Sequence, residues 1–331
     1  MTPKAPDAHM ESASVGAAVI QHPPNRAIVL RNETCAYCGR AFHPEMRSTK
    51  EHVIGRRFVP RGCFDGQWNL ILNACERCNN DKADLEDDIS VITMMPDLTG
   101  GHAIDDDRLR AEVARKAAKS RSRRTGRAVA DSQEKFTITG QFGPATFTFN
   151  FVAPAQVEDE RLYRLAHYQF RGFFYWITYN AETCRGGFAP GGFYPLLAAR
   201  RADWGAPWML WFMDLIRGWE LRVYAVAADS FCKLVIRKSP DADVWCWAME
   251  WNHGHRIVGF VGDDAAIRAL TATLPEQPMN AVHQTETEWI RIRTNAALPE
   301  EEDDLFAVLV DLEDVGETTS LSGPSPQGSS A

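Results

Sequence analysis

The sequence predicts an α+β protein, in which a small cysteine-bearing module precedes a larger domain of antiparallel sheet and helices. Two Cys-x-x-Cys pairs lie close to the N-terminus. From Lys135 onward, short segments alternate apolar and polar residues with a period of two. Between these segments lie aromatic-rich stretches of helical length. Together the three observations favour separate regions of sheet and helix over a βαβ pattern.

Five regions follow one another along the chain. Residues 1–25 mix Pro, Ala, Ser and His without a period, which predicts a disordered arm. Residues 26–100 form the cysteine-bearing module. Residues 101–130 form a basic helical linker, with a helix at 105–130 whose acidic start suits the helix dipole. Residues 131–297 form an α+β domain of unknown role, and residues 298–331 form an acidic and then Ser/Gly-rich tail.

The α+β domain begins with alternating segments at 136–140 and 145–151, which predict two strands joined by a Gly/Pro turn. Further strands with short turns predict an antiparallel meander at 220–227, 231–238, 244–251 and 256–261. Helices are expected at 157–179, 207–218 and 263–274, and a Gly-rich loop at 185–192.

Composition and charge narrow the classes of function. The chain has 331 residues, with 45% hydrophobic residues and a net charge of −8. No run of 18 apolar residues occurs and no secretion signal is evident, so we expect a cytoplasmic protein without a membrane partner. Residues 26–130 carry 19 Lys and Arg against 15 Asp and Glu, whereas residues 131–331 carry 16 against 27. This asymmetry predicts a nucleic-acid partner for the N-terminal half.

The two cysteine pairs are Cys35–Cys38 and Cys75–Cys78, with 36 residues between them. Each Cys-x-x-Cys turn places two thiolates on one side of a tight loop, and four thiolates suit tetrahedral structural Zn²⁺. A redox pair is the alternative, although redox pairs usually occur singly and beside a βαβ pattern. Four thiolates leave no open coordination position, so this zinc is expected to be structural.

Polar residues between and just after the cysteine pairs complete a longer pattern. They are Glu51-His52, Asn69, Asn79 and Lys82. With the four cysteines they resemble the HNH endonuclease family, also called ββα-metal or His-Me finger nucleases. The resemblance covers residues 34–90, about one sixth of the chain. It implies a ββα-metal fold for the module and phosphodiester hydrolysis as its activity.

The resemblance also implies a role for each residue. His52 is the general base that activates water, and Asn69 orients it. Glu51 and Asn79 hold a catalytic Mg²⁺ or Mn²⁺ through oxygen. Lys82 contacts a phosphate.

This chain departs from the commoner family pattern at two positions, with Asn79 in place of His and Glu51 in place of Asp. Asn80 is an alternative to Asn79, and Asn73 an alternative to Asn69. Because Glu51 and His52 are adjacent, they need a bend to face one site, and Gly55 could supply it.

Basic residues behind the module predict contacts to nucleic acid. The candidates are Lys82, Arg115, Lys116, Lys119, Arg121, Arg123 and Arg124. A solvated linker helix is the alternative. We expect the acidic run at Asp84, Glu86, Asp87 and Asp88 to be a solvated face rather than a second metal site.

The sequence therefore predicts a metal-dependent endonuclease, with DNA favoured over RNA. The alternative is a non-catalytic zinc-bound module that binds nucleic acid or acts as an adaptor. The α+β domain could contact an oligomer or effector partner. A role in phage defence or in a mobile element rests on family analogy alone.

Overall fold

A computed structural model describes residues 18–20, 27–97, 100–142, 145–284 and 289–307. It confirms the predicted α+β class, with a four-cysteine cluster near the N-terminus and a larger antiparallel sheet behind it. Most of the predicted N-terminal arm and of the C-terminal tail lies outside the described residues.

The module is built on a three-stranded sheet and one helix. Strand β2 (Ile28–Val29) lies parallel to β4 (Leu70–Cys75), and β3 (Ser48–His52) lies antiparallel to β4 on the other side. Helix α1 (Glu76–Met94) begins directly after β4. Strand β4 alternates buried and half-buried residues, so one of its faces packs into the core. The sheet order β2-β4-β3 makes β3 an edge strand.

The larger sheet has six strands in the order β1-β8-β9-β10-β11-β7. Its strands are β1 (Ala18–Ile20), β7 (Gly192–Arg200), β8 (Glu220–Ala227), β9 (Cys232–Lys238), β10 (Val244–Trp251) and β11 (His255–Gly262). All neighbours pair antiparallel except β1 and β8, which are parallel. Strands β8 to β11 confirm the predicted meander.

Four helices and two hairpins complete the described chain. The helices are α2 (Asp107–Ala117), α3 (Asp159–Ile177), α4 (Pro207–Ile216) and α5 (Asp264–Thr271). The hairpins pair β5 (Glu134–Phe142) with β6 (Ala145–Ala153), and β12 (Asn280–Gln284) with β13 (Trp289–Ile292). None of the described helices combines the length and apolarity needed to cross a bilayer.

Strand β10 is buried along its whole length because both of its faces are covered. Trp245, Trp247 and Trp251 point into a core that also contains α3 and the module. The alternate residues Val244, Cys246 and Ala248 point into a second core with α4. The period of two expected for a strand thus divides its side chains between two cores.

The module and the large sheet share their core. The ring of Phe58 meets the edge of Trp251 with centroids 5.3 Å apart. Trp68 donates from Nε1 to the carbonyl of Val226 at 2.8 Å. Asn252 donates to Thr93 Oγ1 at 2.8 Å. These buried contacts join residues more than 150 positions apart, so the two regions pack as one body.

The basic helix is shorter than predicted. Helix α2 ends at Ala117, and the chain then turns back so that Arg121 pairs with Ala128. Ser122 Oγ accepts from the amide of Thr125, and Gly126 has a positive φ of 69°. Short polar side chains compete with helical hydrogen bonds in this way. The basic residues beyond Lys119 therefore lie in a turn rather than on a helix face.

The beginning of the predicted tail is packed. Leu305 and Phe306 are buried against the second core. Nearby, Asp303 accepts a hydrogen bond from buried Arg256 at 2.8 Å. The chain from 298 to 307 is thus part of the folded body, and residues 308–331 lie outside the described part.

Candidate functional site

The four cysteines come together where β4 meets α1. Their sulfur atoms all lie within 4.8 Å of one another. Cys75 is the last residue of β4, and Cys78 follows in the first turn of α1. The first pair lies in a turn in which Gly39 donates to the carbonyl of Cys35 at 2.8 Å, with a φ of 74° at Gly39. This left-handed conformation favours glycine and brings Cys38 back toward Cys35.

The surroundings of the thiols differ. Burial raises the pKa of the Cys35 thiol to about 11. Burial also opposes ionisation of Cys38, but hydrogen bonds from Arg40 outweigh it and lower the pKa of Cys38 to about 6. The set of four sulfurs at these separations could hold one metal ion such as zinc.

Glu51 lies in a buried ion-pair triad with Lys82 and Glu86. Lys82 is fully buried, and its Nζ lies 2.7 Å from Glu51 Oε1 and 2.6 Å from Glu86 Oε1. Tyr37 donates to the same Glu51 oxygen at 3.4 Å. Burial alone would lower the pKa of Lys82, but the two carboxylates outweigh it and raise that pKa. The triad holds two carboxylates and one ammonium.

The triad also fixes the chain that follows β3. Lys82 Nζ donates to the carbonyl of His52 at 3.0 Å, and Gly55 donates its amide to Glu86 at 3.1 Å. A Cβ on Gly55 would lie 2.3 Å from the Glu86 carboxylate, so any larger residue there would require Glu86 to move away from its present partners. Lys82, proposed from the sequence as a phosphate contact, is instead enclosed between β3 and α1. Glu86 likewise is no part of a solvated face.

Asn79 lies on the same side of β3 as Glu51. Its amide nitrogen donates to Thr49 Oγ1 at 3.0 Å, and Thr49 and Glu51 are two residues apart on one strand face. Within the described chain, Asn79 Oδ1 and Glu51 Oε2 accept no hydrogen bond. One carboxylate oxygen and one amide oxygen thus remain available as ligands on this face.

His52 lies on the opposite side of β3. It lines a cavity of about 260 Å³ together with Arg56, Gln67 and Asn69. Burial, with Arg56 nearby, lowers the pKa of His52. Asn69 donates to the carbonyl of Ile54 at 2.8 Å, and its Oδ1 is buried without a partner among the described residues. Asn69 thus fixes the loop that follows His52.

The candidate catalytic residues therefore form two groups. Glu51 and Asn79 lie on one face of β3, and His52 and Asn69 lie on the other. The reason is that Glu51 and His52 are the last two residues of a regular strand, where neighbouring side chains alternate. The bend that the family resemblance requires begins after His52, so the structure does not bring all the residues into one cleft.

The residues predicted to bind nucleic acid differ in their exposure and in the ion pairs that they already form. Lys116 is buried and bonds to Ser90 Oγ at 2.9 Å. Three arginines form ion pairs with nearby acids: Arg115 with Glu112, Arg123 with Asp84, and Arg124 with Glu134. Lys119 and Arg121 are exposed and form no ion pair within the described chain. Most of these side chains would therefore have to give up an existing partner in order to bind a phosphate.

Three arginines beside the site are not among the residues predicted from the sequence. Arg56, Arg57 and Arg61 follow His52 within nine residues, and all three are exposed. Their closeness to the Glu51-His52 pair was the available signal. Glu86 was assigned to a solvated face, although its spacing of four residues from Lys82 on a helix predicts contact between the two side chains.

Comparison of the chain with protein-family models, with curated proteins and with solved structures gives no match to any of them.

The buried triad makes a prediction for Lys82. Replacing it with alanine leaves two carboxylates buried without their cation, so Lys82→Ala is expected to lower the free energy of unfolding by about 3–5 kcal/mol. Urea denaturation at neutral pH measures this. Lys50→Ala, which removes an exposed lysine from β3, is the matched control and should change the value by less than about 0.5 kcal/mol. Unchanged stability together with weaker nucleic-acid binding would instead support a phosphate contact.

Proposed function

We propose that this protein is a metal-dependent nuclease of the HNH type. The observation that carries the proposal is the β3-β4-α1 unit itself. Two antiparallel strands and a helix are joined at their base by the four-cysteine cluster, and they carry Glu51-His52 at the end of β3 and Asn79 in the first turns of α1. The order of elements is that of a ββα-metal module, and a zinc ion is proposed for the cysteine cluster.

A divalent ion such as Mg²⁺ or Mn²⁺ would be held by the free oxygens of Glu51 and Asn79. Hard cations prefer such oxygen ligands. The triad also favours a bound cation, because its two carboxylates and one ammonium leave one negative charge in excess. When bound, the ion would stabilise negative charge on the scissile phosphate.

His52 would take the proton from the attacking water. Its ring lines an open cavity, and its backbone is held by Lys82 through the carbonyl. Because β3 is an edge strand, a phosphate lying beyond that edge is flanked by side chains from both faces of the strand. In this proposal, Glu51 and His52 act on one phosphate from the two faces of the strand.

A cleavage assay tests the proposal. Supercoiled plasmid DNA and a structured RNA are incubated with purified protein and Mg²⁺, Mn²⁺ or EDTA. We expect nicked or linear DNA with a divalent ion and none with EDTA. Protein with full zinc content that cleaves neither substrate with either ion would contradict the proposal.

The second candidate is a non-catalytic zinc-bound module that binds nucleic acid. Two observations favour it: Lys82 already pairs with Glu51, and His52 lies on the other face of the strand. Retention of binding without cleavage in the same assay would support this candidate.

A further inference from the structure

A basic cleft lies beside the module, between α1, α2 and the loop that follows His52. Its volume is about 770 Å³. Its charged lining comprises seven cationic and four acidic side chains. The cleft is lined by none of the four cysteines, and it borders the His52 cavity at Arg56.

Each acidic residue of the cleft already has a cationic partner. Glu112 pairs with Arg115 and Lys116. Asp84 and Asp87 both pair with Arg123. Glu86 belongs to the buried triad, where Lys82 is its partner. Each carboxylate in the lining therefore has a cation within about hydrogen-bond distance, which reduces its repulsion of an incoming anion.

Four cations in the lining remain uncompensated. Arg56, Arg57, Arg61 and Lys119 are exposed, and none forms an ion pair with any residue that the structure describes. They come from two sides of the cleft, three from the loop and one from the end of α2. A concave surface with several unpaired cations is suited to a polyanion, since each can neutralise one phosphate.

The loop that carries the three arginines is fixed rather than free. The carbonyl of Arg57 accepts hydrogen bonds from Lys116 Nζ and, at 3.0 Å, from Ser90 Oγ. Glu86 holds Gly55 at the start of the loop. Buried Lys116 therefore acts through the backbone of Arg57 to position the loop. A preformed site loses less entropy when it binds a ligand.

The cleft borders the His52 cavity. Arg56 lines both spaces, and it lies close enough to His52 to influence the ring electrostatically. A chain of phosphates lying in the cleft would therefore continue along Arg56 to the imidazole.

We propose that the basic cleft binds the phosphodiester backbone of a nucleic-acid strand and guides it to His52. The binding surface is formed by Arg56, Arg57, Arg61 and Lys119, and the recognition is of the backbone rather than of base edges. The guidance to His52 rests on the proposed nuclease function, whereas the binding itself does not.

Binding is measured by fluorescence anisotropy at several salt concentrations, in EDTA, so that cleavage cannot interfere. The probes are labelled duplex DNA, single-stranded DNA and RNA. The test protein carries Arg56→Ala, Arg57→Ala and Arg61→Ala together. We expect weaker binding to every sequence, with the slope of log affinity against log salt reduced by about 0.9 per lost contact on duplex DNA or about 0.7 on a single strand. Three lost contacts correspond to a reduction of about two to three.

The matched control removes three exposed arginines from the α+β domain, at Arg185, Arg217 and Arg268, and so changes the net charge equally. Its slope should equal that of the wild type. A charge-preserving variant with lysine at positions 56, 57 and 61 should also keep the slope. If the triple alanine variant does not fold, Arg61→Gln and Lys119→Gln singly should each reduce the slope by about 0.9.

Three results would overturn the inference: no wild-type binding to any probe, an unchanged slope in the cleft variant, or an equal reduction in the control variant. Failure of the proposed function looks different. If the wild-type protein binds through the cleft but never cleaves, the proposed nuclease function is wrong and the proposal of cleft binding stands. If the wild-type protein cleaves but the cleft variant binds normally, the nuclease function stands and the proposal of cleft binding is wrong.

Discussion

His52→Ala is expected to reduce phosphodiester cleavage by about 10²–10⁴-fold, the usual contribution of a general base. The ring of His52 lines an open cavity and makes no hydrogen bond to another described side chain. Its removal should therefore leave the fold, the metal content and the binding of nucleic acid unchanged. Cleavage rates from plasmid nicking over long incubation measure the loss, and anisotropy in EDTA measures binding.

His43 supplies the matched control. It is exposed and lies in the turn region between the first cysteine pair and β3. His43→Ala should cleave at the wild-type rate, because the proposal gives that residue no role. If His52→Ala cleaves as fast as the wild type, the general base is another group, and the mechanism proposed for this module is wrong even though the ββα arrangement stands.

Cys35→Ser is expected to unfold the protein at room temperature. A structural zinc site of four thiolates contributes on the order of 10 kcal/mol to folding, which is comparable with the whole stability of a typical domain at about 5–15 kcal/mol. Because Phe58 and Trp68 of the module pack against residues of the large sheet, loss of the zinc site should also unfold the α+β domain. Circular dichroism and elemental analysis for zinc measure the two effects.

Cys184→Ser is the control, since Cys184 is half-buried and lies outside the cluster. That variant should keep one zinc per chain and a wild-type thermal transition. A strong chelator should reproduce the effect of Cys35→Ser on the unmodified protein. Purified protein that is folded and contains no metal would contradict the zinc assignment.

Local patterns predicted much of the fold. The strands at 220–227 and 244–251 have the predicted bounds, because apolar alternation and short turns determine both ends. The cysteine cluster was equally predictable, since each Cys-x-x-Cys turn is a local structure. The one non-local inference was that the two turns lie together in the folded chain.

Strand β7 shows why another element escaped prediction. It contains Pro195 in its interior, and a proline argues against a central strand. In the structure β7 lies at the edge of the sheet, where a missing amide is tolerated, and its partner β11 is irregular between Val258 and Gly259. The position of a strand within a sheet is a non-local property that the sequence pattern does not contain.

The environment of the site residues could not be predicted either. The spacing of Asn79 and Lys82 puts both on one face of a helix, but not under a particular strand. That Lys82 is enclosed by Glu51 and Glu86, rather than exposed to a phosphate, depends on how closely α1 approaches β3. Similarly, the sequence shows that the 105–130 segment is basic, whereas the pairing of Arg123 with Asp84 and Asp87 on α1 depends on tertiary packing.

The contact between Gly55 and Glu86 has a consequence for how this protein can vary. The Glu86 carboxylate occupies the volume that any side chain at position 55 would need. A larger residue at 55 therefore requires Glu86 to move or to be replaced by a shorter residue, and either change would weaken the ion pair between Glu86 and Lys82. Positions 55, 82 and 86 should accordingly substitute together across homologous chains, and their covariation would trace the packing of α1 against the end of β3.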